Sequence, residues 1–134
     1  MSDLLDERLG RGRYTDSDFE TKTVRLVRSI GLPEPELQHT VRDGRFVAFI
    51  DLAWPAIKWG IECDSLEHHL SERAHNWDRR RRRRLKRLRW DLAEVTYDDV
   101  TKRPDETGRE LLELYRDRER SFLSDPRYRI GPER

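Results

Sequence analysis

A chain of 134 residues, 41% charged and 34% hydrophobic, has the length of one domain and apolar residues for one small core. No apolar run approaches the roughly 18 residues of a membrane helix, no signal-peptide pattern opens the chain, and the lone Cys63 excludes an internal disulfide, so a cytoplasmic protein with no membrane partner is expected. The net charge of +1 hides a segregation: between Leu70 and Trp90 ten Lys or Arg stand against Glu72 and Asp78, a local +8 that leaves the remainder at −7, as in a polyanion-binding protein or a solvated helix face.

Residues 1–15 read as a flexible N-terminal arm. From Asp16 to Ile30, the spacing of Phe19, Val24, Leu26, Val27 and Ile30 predicts a helix capped by Asp16 or Ser17 and stopped by Gly31. Pro33 and Pro35 keep the exit extended. Leu37 to Arg42 and Arg45 to Trp54 are predicted strands joined by a hairpin turn at Asp43-Gly44. Pro55-Ala56 turns the chain into a third strand, Ile57 to Cys63. Ser71 to Arg89 is a predicted helix, Asp91 to Thr96 a fourth strand and Asp105 to Arg120 a last helix, with 121–134 as a loose tail. The order predicts an α/β fold over 16–120: helix, three strands, helix and strand, with a mixed central sheet flanked by helices. The fourth strand arrives by a helical crossover and so can lie parallel to an earlier one.

The third strand carries the chemistry. Alternation puts Ile57, Trp59, Ile61 and Cys63 on one face and Lys58, Gly60, Glu62 and Asp64 on the other. A two-residue turn at Pro55-Ala56 would set Trp54 opposite Ile57 and Asp51 opposite Gly60, so that Asp51 joins the face of Glu62 and Asp64, with open space at Gly60. Three carboxylates on one patch repel each other. A divalent cation would relieve this, and hard carboxylate oxygens suit Mg²⁺ or Mn²⁺; ion pairing with the arginine-rich helix is the alternative. If repulsion dominates, Asp51→Asn raises the melting temperature of the metal-free protein.

That helix has an inner stripe of Leu70, Ala74, Trp77, Leu85 and Leu88, with Arg81 in its middle. An arginine so placed needs a carboxylate partner or a buried stem. Arg79, Arg82 and Arg83 point outward and, with Lys86, are candidate phosphate contacts. His68 and His69 follow the acidic strand and can exchange protons near neutral pH or contact substrate. Cys63, His68, His69 and His75 fit no usual structural zinc spacing.

The stretches "DFETKTVRLVRSIGLPEPELQ", "IDLAWPAIKWGIECDSLEHH", "WDRRRRRRLKRLRW" and "LAEVTYDDV" resemble the very-short-patch-repair-like endonuclease domains of the PD-(D/E)XK, restriction-endonuclease-like superfamily, over roughly Phe19 to Val100. The family pattern reads "VDLAWP", then "xVExDGxxHH", then "LGW". Its usual Gly after Asp64 is Ser65 here, its Gly before Trp90 is Arg89, and an Asp common in the basic helix is Arg82. The resemblance implies a restriction-endonuclease-like core over 16–120 and hydrolysis of DNA phosphodiester bonds with Mg²⁺ or Mn²⁺. Asp51, Glu62 and Asp64 would hold the metal, Glu20 would reach into the same site and His68 would assist. His69 would contact the nucleic acid beside Arg79, Arg82, Arg83 and Lys86. No residue discriminates RNA from DNA. A homodimer, a further targeting domain or a partner protein is compatible with this reading. The alternative is a nucleic-acid-binding module with the nuclease fold and no cleavage, against which the three intact carboxylates argue.

Overall fold

The computed structural model describes residues 16–65 and 72–128. Helix α1 (Asp16–Ser29) buries Phe19, Val24, Leu26 and Val27, and Gly31 ends it at φ 85°, a backbone that favours glycine. Strands β1 (Glu36–Asp43) and β2 (Phe46–Trp54) pair antiparallel around Gly44-Arg45. The turn lies one residue later than Asp43-Gly44, because Gly44 at φ 63° takes its first central position.

The connection to β3 (Trp59–Cys63) also differs from the two-residue turn. Pro55–Ile57 forms a 3-10 turn, closed by Lys58 N–H on the Pro55 carbonyl at 3.1 Å with Lys58 left-handed at φ 49°. Four residues therefore link the strands, and the antiparallel register becomes Trp54 with Trp59, Ala53 with Gly60 and Leu52 with Ile61. The shift is two residues, so Leu52 to Trp54 and Trp59 to Cys63 keep the faces that alternation gives them, but Asp51, one residue beyond the last pair, now comes beside Glu62 instead of Gly60, its N–H 3.4 Å from Glu62 Oε2. Nor does Gly60 leave open space. A Cβ there would lie 2.7 Å from Ile50 Cγ2 and 2.9 Å from the Leu52 carbonyl oxygen, so the glycine permits close packing.

Helix α2 (Glu72–Arg87) carries the chain over to β4 (Asp91–Val95), which lies parallel to β3. The sheet order is β1-β2-β3-β4. A short α3 (Tyr97–Thr101) follows, started by a reciprocal cap in which Asp99 N–H donates to Thr96 Oγ1 and Thr96 N–H to Asp99 Oδ2. Helix α4 (Pro104–Ser124) runs four residues beyond the predicted Arg120, and a 3-10 turn (Pro126–Tyr128) follows within the predicted tail. Helices α1, α3 and α4 cover one face of the sheet around Leu52, Trp54, Trp59 and Ile61. Leu85 of α2 covers the other, against Val41, Ile50 and Trp90. The fold is thus α/β, a four-stranded mixed sheet with flanking helices. Among the described residues no helix is long and apolar enough to cross a membrane.

Two positions where the resembled family has glycine differ in kind. Arg89 is left-handed at φ 76° and closes α2 by donating its N–H to Lys86 O, while Trp90 N–H reaches Leu85 O. Ser65 is not left-handed; it is buried, and its hydroxyl has no hydrogen-bond partner among the described residues. Arg89→Gly should therefore stabilise the fold by about 1 kcal/mol, the usual cost of a left-handed non-glycine residue, and raise the melting temperature by about 3 °C. Thermal unfolding followed by circular dichroism checks this; a lower midpoint would mean that the Arg89 side chain outweighs its backbone.

Candidate active site

The regular alternation of β2 breaks at Asp51. Ile50 buries against Leu85 and Trp90, yet Leu52, two residues on, buries in the opposite core with Trp54 and Trp59. Across the ladder at this point lies Gln38. Its neighbours Leu37 and His39 pair with Leu52 and Ile50, while Gln38 itself is left-handed at φ 50°, a conformation costing of order 1–3 kcal/mol outside glycine. Two hydrogen bonds hold it. Gln38 Nε2 donates to Glu20 Oε2 at 2.7 Å and to Asp51 Oδ1 at 2.9 Å. The other Asp51 oxygen, Oδ2, accepts the Cys63 N–H at 2.8 Å. Asp51 is thereby fixed from both flanking strands, and Glu20 of α1 is tied to it through one amide.

Glu62, opposite Asp51, meets Arg81 of α2 in a two-pronged ion pair: Nη1 to Oε1 at 2.8 Å and Nη2 to Oε2 at 3.0 Å. Arg81 Nη2 also donates to the Phe49 carbonyl at 2.6 Å, and Asp51 N–H reaches Glu62 Oε2 at 3.4 Å. The Glu62 and Arg81 side chains are only 18% and 13% exposed. Burial pushes the Glu62 carboxyl above the ordinary range, opposed by the Arg81 guanidinium. Asp64 follows β3, its N–H bonded to the Val95 carbonyl at 2.8 Å. Asp51, Glu62 and Asp64 line one open pocket of about 490 Å³, walled on the α2 side by Trp77, Asp78, Arg81 and Arg82.

Four of the predicted residues, Glu20, Asp51, Glu62 and Asp64, are thus brought to one end of the sheet. His68 and His69 lie outside the described residues. Arg81 finds the carboxylate that its inward position requires. Cys63 packs on the apolar face near Thr23 Oγ1, at 3.5 Å, and burial pushes its thiol up to about 12, so without a metal it stays a neutral thiol near pH 7.

The predicted phosphate contacts separate. Arg82 bridges Asp78 at 2.9 Å and Glu94 at 2.8 Å beside the acidic pocket, and Arg79 donates to Asn76 Oδ1 at 3.1 Å. Arg83 and Lys86 line a shallow groove of about 590 Å³ with Arg80, Arg84, Arg87 and Arg89. Every lining residue is a cation, which favours an anionic ligand.

Gln38 is the residue that sequence reasoning missed. Counting back from an Asp43–Phe46 turn closure would have set it opposite Asp51, but its left-handed backbone carries no sequence signal. The donor set of the pocket is hard oxygen, chemistry that fits Mg²⁺ or Mn²⁺. Among the described residues no three groups yet stand in a metal-holding arrangement; both Glu62 oxygens are engaged by Arg81.

No family model matches the chain. It is similar to two uncharacterized proteins from two strains of Mycobacterium tuberculosis, each 30% identical over 90 residues, which is 66% of this chain and 33% of the relative. The chain therefore spans about a third of the length of the curated relatives it matches.

Proposed function

We propose that the protein is a metal-dependent DNA endonuclease of the very-short-patch-repair-like kind, on a restriction-endonuclease-like core. The observation that carries this reading is the meeting of Asp51 and Glu62 across β2 and β3, with Asp64 in the same pocket. The left-handed backbone at Arg89, where the resembled family has glycine, supports it. Asp51, Glu62 and Asp64 would hold a divalent cation, which when bound polarises a phosphoryl oxygen and makes water more acidic. The chain's own residues supply geometry. Cys63 N–H and Gln38 fix the two Asp51 oxygens, and Arg81 grips Glu62 and opposes the rise that burial gives its carboxyl. The pocket's open mouth admits a phosphodiester, and the sheet beneath it resists displacement.

Supercoiled plasmid incubated with and without Mg²⁺ or Mn²⁺ tests the proposal. Nicked or linear product that needs the metal supports it. Intact plasmid under all conditions, or full cleavage in excess chelator, overturns it. One observation favours the alternative, a non-cleaving binding module: Arg81 takes both oxygens of Glu62. That reading expects intact plasmid together with retarded DNA in a gel.

Under either reading the all-cation groove meets phosphates. Changing Arg83 and Lys86 together to Ala should weaken binding to every DNA sequence alike and make the slope of log affinity against log salt shallower by about 1 to 2 units. Turnover at saturating DNA should hold, because these contacts bind ground and transition states equally. A salt titration with an unchanged slope would reduce the groove to a solvated helix face.

A further inference from the structure

We infer that Gln38 is a positioning residue, whose amide, delivered by a left-handed kink in β1, ties Glu20 to Asp51 and sets the orientation of the Asp51 carboxylate. For the Asp51 carboxylate to act in cleavage, the inference rests on the proposed reading of the acidic pocket; the bridge itself does not. Three observations converge. The kink is confined to one residue, since Leu37 and His39 keep their partners on β2. Both amide hydrogens of that residue are used, one on each carboxylate, at 2.7 and 2.9 Å. The kink also coincides with the break in β2 at Asp51, where Ile50 and Leu52 turn to opposite cores.

The chemistry of the donor matters. A lysine or arginine here would neutralise the carboxylates it holds. An amide orients them through charge-assisted hydrogen bonds and leaves their negative charge in place. Of the acids grouped here, Glu62 has a cationic partner in Arg81, whereas Glu20 and Asp51 share a neutral one. The pair is thus ordered by a donor that brings no compensating charge. Gln38 touches Asp51 and acts through it.

The test uses the full 134-residue chain and two readouts. The first is the side-chain amide signal of Gln38 in ¹⁵N-resolved NMR. In the parent its two protons should be shifted from free glutamine and slow to exchange. Glu20→Ala and Asp51→Ala should each move the pair toward the free position. A Gln38 pair already at the free position, or unmoved by either change, overturns the bridge. The second is single-turnover cleavage with Mn²⁺. Gln38→Met keeps length but loses both donors, and Gln38→Gly relieves the backbone as it removes the side chain. Both should lower the rate at saturating DNA by about 10-fold or more, the usual effect of losing a residue that orients a ligand. The DNA affinity should change less than twofold, and the Gly variant should melt no lower than the Met variant. Parent-like rates in both variants, or a change in affinity alone, overturn the positioning role. If the parent itself does not cleave, the nuclease reading fails, and the NMR readout still decides the bridge.

Discussion

Arg81→Ala should lower the melting temperature by about 10 °C. Removing one partner of a buried ion pair strands the other, at a cost of about 3 kcal/mol, and a chain of this size loses roughly 3 °C per kcal/mol. Arg81 is the only cation bonded to Glu62 among the described residues, and it also satisfies the Phe49 carbonyl. The loss should depend on pH in a defined direction. Burial already raises the Glu62 carboxyl, and Arg81 opposes that rise. Without Arg81 the folded-state value climbs further above the unfolded one. Such a group destabilises the fold above that raised value and ceases to do so as pH falls through it, because Glu62 then folds as a neutral acid. The deficit should therefore shrink as pH falls from neutral toward the ordinary carboxylate range. Adding Glu62→Gln to Arg81→Ala should recover most of the loss at pH 7, since no buried charge is then stranded. Thermal melts of the two single variants, the double variant and the parent decide this. An Arg81→Ala protein melting within 2 °C of the parent would show that the pair is dispensable.

Asp51→Asn should reduce plasmid cleavage by about a thousandfold or more. Charge stabilisation by a bound metal supplies several kcal/mol, and each 1.36 kcal/mol is tenfold in rate. Its effect on stability reverses the expectation from charge repulsion alone. Both Asp51 oxygens accept hydrogen bonds, from Cys63 N–H and from the Gln38 amide. Asparagine would turn an NH₂ toward one of these donors and lose that bond. The metal-free variant should melt about 3 °C below the parent, for a lost bond of about 1 kcal/mol. Duplex affinity measured without metal should change little, because the groove cations are untouched. Undiminished cleavage would remove Asp51 from the reaction; a raised melting temperature would show repulsion outweighing the two hydrogen bonds.

These two residues show what was legible before the structure. The face shared by Asp51, Glu62 and Asp64 follows from parity counted back from the β2–β3 connection; a two-residue register shift leaves that parity intact, and the break in β2 lies beyond it, toward Ile50, so the acidic cluster is readable from alternation. The opposition of Asp51 and Glu62 is not, because it depends on the length of the Pro55–Lys58 connection, where a proline can start a flat turn or a short 3-10 turn equally well. The demand of Arg81 for a carboxylate is readable because an arginine on an apolar helix stripe must be paired. The loss of Arg82 from the outward set is not, since Asp78 on its own helix and Glu94 on β4 converge on it only after folding. The basic groove is half readable: its charge is in the sequence, its lining is not. Helix α3 hides behind a strand-like start and shows itself only in the Thr96–Asp99 cap.

The kink at Gln38 has a consequence for the molecule among its neighbours. Among the described residues strand β1 lies at one edge of the sheet, it is eight residues long, and Leu37 on it is exposed. A regular strand of that kind offers a continuous row of unpaired N–H and C=O groups to any passing chain. A left-handed residue at position 38 turns its peptide groups out of that row and divides the edge into two residues before it and five after. Neither stretch is a good template for an incoming strand. The torsion that aims the amide at the carboxylates therefore also blunts the edge against self-association, so straightening β1 to improve its pairing would endanger solubility along with the pocket.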